Sequence, residues 1–120
     1  MILVDSSVWI DHFRRSEPEL VCLLDRGEVA THAMVIGELA CGKFLKRSLI
    51  LQLLNTQPRV TAASDRDVLT AIEARRWHGQ EFGWIDAHLL TSAMVSGARL
   101  WTRDKSLLRA AQLARVAYDS

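Results

Sequence analysis

Short apolar runs alternate with stretches of helical period along the whole chain, and that alternation leaves few folds open. Ile2–Val4 is a run of buried-strand type, and Glu28–Thr31, Arg59–Ala62, Ala98–Thr102 and Val116–Tyr118 read as further short strands. Between them the pattern predicts helices at 8–15, 18–26, 34–44 and 46–55, then from Ser64, over 84–96, and after Asp104. The punctuation agrees. Pro18 suits a first helical turn, Gly27 and Gly97 suit helix ends, and Ser64-Asp65-Arg66-Asp67 matches a capping pattern. Parallel strands need long crossovers, usually helical. The expected fold is therefore α/β: a central, mostly parallel sheet of four to five strands flanked by helices.

At 120 residues the chain makes a single domain, 1–120, large enough for a core without disulfide staples. Its net charge of +1 creates no general field toward nucleic acid or anionic membrane, so any basic surface must be local. Local clusters do occur, at Arg14-Arg15, Lys43-Lys46-Arg47, Arg75-Arg76 and Arg99-Arg103-Lys105-Arg109. Taken alone they read as solvated helix faces. Cys22 and Cys41 lie in apolar helical patterns and are expected as small buried hydrophobes, not as a disulfide framework. The opening MILVDSSVWI has no basic n-region and meets Asp5, so neither a signal peptide nor a membrane span is expected. A reducing cytoplasm fits.

Four acids carry the chemistry. Asp5 follows the first strand, Asp86 lies in the first turn of its helix, and Asp104 follows the strand ending at Thr102. Each alone has a bland reading, as a helix cap or a charge matched to the helix dipole. Glu38 is harder to dismiss, because it sits mid-helix among Val35, Ile36, Leu39 and Ala40. In an open α/β sheet the carboxyl ends of strands and the adjoining helix starts converge on one crevice. All four acids fall at that edge or on a helix bordering it. Gathered carboxylates repel one another and ionise at a cost in a partly dry cleft, and a divalent cation resolves the conflict. The expectation is an acidic Mg²⁺ or Mn²⁺ site with oxygen ligands. His12, His32, His78 and His88 pair with no cysteine at zinc spacing, and there is no Gly-rich phosphate loop or G-x-S-x-G.

These residues resemble the PIN-domain ribonucleases, and among them the VapC-type toxins of bacterial toxin–antitoxin pairs. The likeness is carried by ILVDSSVWID at 2–11, VIGELACG at 35–42, GWIDAHLLTSAMVSGARLWTRD at 83–104 and the last helix. The resemblance implies a PIN-like three-layer sandwich, with Asp5, Glu38, Asp86 and Asp104 as the metal-binding acidic set. It also implies Ser6 and Thr102 as hydroxyls that hold carboxylates in place. Some relatives carry a further acid or Asn just after the last Asp, where this chain has Lys105 and Ser106. That departure leaves the number of ions open.

The implied reaction is phosphodiester hydrolysis of RNA by metal-activated water. Asp5 and Asp86 are expected as principal ligands, Asp104 as a direct or water-mediated ligand, and Glu38 as a ligand or a positioner of the attacking water. Arg103 and Lys105, nearest in sequence to an acid, are the candidate RNA contacts, and single-stranded RNA is the expected substrate. Trp9, Trp84 and Trp101 flank the acidic segments and read first as core. The resemblance further implies a homodimer, through surfaces including Phe44, Leu45, Ile50 and Leu53. It implies a cognate antitoxin whose tail crosses a groove near Trp9 and Phe13. Two alternatives remain. One is a Mg²⁺-dependent phosphatase of haloacid dehalogenase type, which needs an Asp where this chain has Ser7. The other is a catalytically weak PIN-fold partner-binding protein. A response-regulator receiver lacks its phosphoacceptor Asp near 59–62.

Overall fold

The computed structural model describes residues 1–119. Three parallel strands, β1 (Ile2–Val4), β2 (Val29–Ala30) and β3 (Arg99–Trp101), form a sheet in the order β2-β1-β3. Seven helices flank it: α1 (Ser6–Arg14), α2 (Pro18–Asp25), α3 (Ala33–Ala40), α4 (Arg47–Thr56), α5 (Asp65–Arg75), α6 (Trp84–Ser96) and α7 (Lys105–Leu113).

Ile2 pairs with Val29 on one side and Arg99 on the other. The chain leaves β1, returns beside it as β2, and after four more helices comes back on the opposite side as β3. Strand order thus reverses at β1. The gap beyond the carboxyl ends of β1 and β3 is the switch point at which an open α/β sheet forms a crevice.

The sheet has three strands, not the four to five expected. The segments at 59–62 and 116–118 each contribute one isolated parallel bridge, Thr31 to Arg59 and Leu100 to Ala117. Pro58 lends its carbonyl to Thr31 N–H but has no N–H to extend the pairing. Ser92 Oγ then takes the Ala63 N–H at 2.9 Å, drawing that segment off the sheet toward α6.

The core centres on β1, β3 and α6. Leu3, Val4, Leu89, Leu90 and Leu100 are fully buried, and every residue of α6 from Ala87 to Ala93 is buried. Truncating one of these leucines to alanine typically costs about 2–5 kcal/mol. Two helices stop earlier than their patterns suggest. α3 ends at Ala40 because the chain turns at Gly42 and brings Phe44 back to stack on Phe13, ring centroids 4.8 Å apart. α5 ends at Arg75 because Arg76 adopts a left-handed cap (φ 57°) and Trp77 folds inward against Phe82.

Cys22 and Cys41 are exposed, contrary to expectation. α2 buries Leu20 and Leu23, which leaves Cys22 on the outward face, and Cys41 is the cap beyond the last residue of α3. Among the described residues no helix is long and apolar enough to cross a membrane.

Candidate active site

Asp5 prolongs β1, its N–H donating to Trp101 O of β3 at 2.9 Å, and its side chain then caps α1. The carboxylate is buried, which is costly unless it is hydrogen-bonded. Three donors meet it: Ser6 N–H at 2.8 Å on Oδ1, and on Oδ2 the Ser7 hydroxyl at 2.8 Å and the Thr102 hydroxyl at 2.7 Å. Thr102 Oγ1 also accepts the Asp104 N–H at 3.1 Å, and Ser7 Oγ accepts the Arg103 N–H at 3.0 Å. The start of α1 and the β3–α7 turn are thereby laced together through two hydroxyls.

Glu38 projects from α3 toward this centre. Ser6 Oγ donates to Glu38 Oε1 at 3.1 Å while lying 3.5 Å from Asp5 Oδ1, so one hydroxyl stands between two carboxylates. Asp86 occupies the third position of α6 and accepts the Gly83 N–H at 3.2 Å. Asp104 caps α7, taking the Leu107 N–H at 2.9 Å. Each bland capping role is therefore real for the three aspartates, and the same folding that satisfies the caps brings the acids to one edge.

The electrostatics express that proximity. Partial desolvation holds Glu38 above the ordinary glutamate range, reinforced by Asp5 and Asp86 and opposed by its Ser6 hydrogen bond. Desolvation likewise raises Asp86, opposed by the Gly83 N–H and reinforced by Asp104 and Asp5. Desolvation and, after it, this mutual repulsion both disfavour the charged carboxylates, and a bound cation would offset both. The donors are all carboxylates, which suits a hard divalent ion. They form no closed cage: among the described residues no three His, Cys, Asp or Glu side chains form a ready ligand cluster. An ion that retains much of its water shell, held directly by one or two carboxylates, matches that openness.

Of the two candidate RNA contacts, Arg103 is otherwise engaged. Its guanidinium pairs with Asp11 at 2.8 Å and with Glu17, and it lies 5.9 Å from the Trp101 ring centre. Lys105 is exposed at the start of α7 and has no ion pair among the described residues. Trp9 and Trp101 are core residues, whereas Trp84 is 42 % exposed. A groove of about 740 Å³ runs beside Phe13, Leu39, Phe44 and Leu49 with Glu38 among its lining, and fully buried Trp9 lies outside that lining.

Two supporting elements escaped the sequence reading. Ser7 ties Asp5 to the turn 96 residues away. His32 caps α3 through Nδ1, which accepts the Met34 N–H at 2.9 Å, and its Nε2 reaches Ser92 Oγ of α6 at 3.1 Å. This links the helix bearing Glu38 to the helix bearing Asp86. Burial holds His32 below the usual histidine range, and His88 and Arg59 add to the effect. The capping acceptor fixes Nδ1 as unprotonated, so Nε2 carries the proton toward Ser92. A polar residue just before α3 was the one local signal of this role.

The PIN domain family model matches residues 2–113. Two strains of Mycobacterium tuberculosis carry a protein named Ribonuclease VapC32 that is 45 % identical to this chain over 118 residues, covering 98 % of this chain and 95 % of the relative. With the acids gathered at the switch point of a parallel sheet and likeness along nearly its whole length, the chain belongs to the PIN-domain family and, within it, to the VapC-type ribonucleases.

Proposed function

We propose that this protein is a divalent-metal-dependent endoribonuclease, using Mg²⁺ or Mn²⁺, and the toxin of a toxin–antitoxin pair. The observation that carries the reading is the meeting of Asp5, Glu38, Asp86 and Asp104 at the β1–β3 switch point, with Glu38 and Asp86 both raised by their neighbours. When bound, the ion would lower the pKa of a water and neutralise charge on the scissile phosphate. Asp5 and Asp86 would hold it, with Asp104 binding directly or through water. Asp5 is the best oriented, since the hydroxyls of Ser7 and Thr102 and the Ser6 N–H fix both its oxygens. Glu38 is the most exposed to solvent of the acids bound to Ser6, and its raised affinity for protons suits it to orient the attacking water and accept a proton from it.

The partners follow from the surface. Leu45, Leu49 and Leu53 are exposed at 90 %, 61 % and 42 % along α4 and the turn before it. An apolar face of this kind marks a protein contact. We assign it to a homodimer including Phe44, Leu45, Ile50 and Leu53. The groove by Phe13 shares Phe44, Leu45, Ile50 and Leu53 with that face, so we assign only its Phe13–Glu38 end to an antitoxin segment, whose arginine would be drawn to Glu38 and its neighbours.

The test is RNA cleavage by the purified chain. Activity should vanish in EDTA and return with Mg²⁺ or Mn²⁺, and Asp5→Asn and Asp86→Asn should each abolish it in a folded protein. Full activity in EDTA, or in both variants, overturns the assignment. For the toxin role, expression alone should arrest growth, and a neighbouring antitoxin gene should rescue it.

A further inference from the structure

A centre of four carboxylates repels the polyanion it is meant to cut, so cations must hold RNA to one side of it. Four arginines are otherwise engaged. Arg103 is paired with Asp11 and Glu17, Arg47 donates to Ala40 O, Arg59 to Asn55 and Arg99 to Ala117 O. Arg75 and Arg109 are exposed and make neither an ion pair nor a side-chain hydrogen bond among the described residues.

Both line one groove of about 830 Å³ between the end of α5, the turn after it and α7. Gln80 and Ser106 add polar atoms, Trp77 adds an apolar ring, and no acid lines it. One wall of the groove is α7, the helix that Asp104 caps. Ser106 is two residues past Asp104, and Arg109 lies one and a half turns along the same helix, about 7.5 Å at 1.5 Å per residue. Trp77 also lines a small cavity that reaches Gly83 and Trp84, the cap and first residue of α6, the latter two residues before Asp86. Trp84 offers an exposed indole there.

We propose that the α5–α7 groove is the channel that holds the backbone of single-stranded RNA. Arg75 and Arg109 bind two phosphates, Ser106 and Gln80 supplement them, and Trp84 stacks a base where the strand meets Asp86 and Asp104. The positive lining selects a polyanion, and α7 runs from Asp104 at its cap to Arg109 in the groove, so a strand held there would extend toward the acids. The groove by Phe13 also carries Arg14, Lys43 and Lys46, but its wall is mainly apolar and Glu38 opposes a polyanion there, whereas no acid lines the α5–α7 groove. The inference rests on the ribonuclease reading, and its test separates the two.

The assay is fluorescence anisotropy of a labelled oligouridine with the full chain in EDTA, at salt from about 50 to 200 mM, alongside cleavage in Mg²⁺ or Mn²⁺. Arg75→Gln/Arg109→Gln should weaken binding about tenfold or more and reduce the slope of log affinity against log salt by about 1.4, at roughly 0.7 per single-strand phosphate. It should raise KM while changing kcat by less than about twofold. Arg75→Lys/Arg109→Lys should keep most of the slope, and Arg26→Gln, just after α2, should keep all of it. If the pair does not fold, each single Gln variant should remove about half of the effect. Wild-type cleavage with unchanged binding and slope in the Gln variants overturns the channel and leaves the ribonuclease. Binding through Arg75 and Arg109 without cleavage in either metal keeps the channel and removes the ribonuclease. Loss of antitoxin affinity in the Gln variants, with RNA affinity intact, makes the groove a protein site and overturns the proposal.

Discussion

Asp104 serves two ends at once, and substitution separates them. Its Oδ1 accepts the Leu107 N–H at 2.9 Å as the cap of α7, and its charge helps to raise Asp86. Alanine removes both effects. Loss of an N-cap costs about 1 kcal/mol. At about 2.1 cal/mol/K of unfolding entropy per residue, that lowers Tm by about 4 °C for a chain of this length. Asparagine caps nearly as well as aspartate, and it removes one charge from a repulsive set. Asp104→Asn should therefore melt within about 2 °C of wild type in EDTA, where Asp104→Ala falls by about 4 °C. Metal reverses the comparison. At a hundredfold excess over Kd an ion stabilises by about 2.7 kcal/mol, roughly 11 °C here. A tenfold weaker site removes about 1.4 kcal/mol of that. Asp104→Asn should thus show only about half the wild-type rise on adding Mg²⁺. Differential scanning fluorimetry with and without the ion reads both quantities. If Asn loses as much apo stability as Ala yet keeps the full metal-induced rise, Asp104 is a cap and not a ligand.

Other consequences follow from the same contacts. Glu38 and Asp86 are raised in the folded state, so folding favours their protonated forms and their contribution to metal-free stability is lost as pH rises above about 4; Asp86→Asn should reduce that loss relative to wild type in urea titrations. Identical pH dependence of wild type and Asp86→Asn in EDTA contradicts the repulsion. His32 is shifted the other way, so its contribution is present above about pH 6.5 and is lost as pH falls through its lower folded value. His32→Ala should cost about 2 kcal/mol near neutrality through the lost cap and the Ser92 bond, and it should blunt the acid-side loss seen by calorimetry. Arg103→Ala should cost no more than about 1 kcal/mol, since its pairs are exposed, and should leave oligouridine affinity within twofold; a tenfold loss returns Arg103 to the RNA path. Light scattering at tens of micromolar, an order chosen around common affinities, should give a dimer that Leu45→Asp converts to monomer. A monomeric wild type refutes the α4 assignment.

Much of the site was legible because its acids double as local punctuation. Asp5, Asp86 and Asp104 each begin a helix, and the strand-then-cap pattern that predicts those helices also fixes where the acids stand relative to the sheet. α6 was readable to its ends, because Gly83 and Gly97 bound a long apolar run. What sequence could not settle was anything decided by partners distant in the chain. Ser7 and Thr102 are 95 positions apart, yet both hold Asp5 Oδ2. His32 and Ser92 meet across 60 positions to join two acid-bearing helices. Arg103 looked available beside Asp104 until Asp11 and Glu17, on and after α1, were found to pair with it. The edge segments had strand composition, but Pro58 and the pull of Ser92 on Ala63 left the 59–62 edge a single bridge, and 116–118 also makes only one. Periodicity reports which face of an element is apolar; only packing determines which neighbour covers it. That is why the cysteines came out exposed and why the α5–α7 groove had no sequence signature.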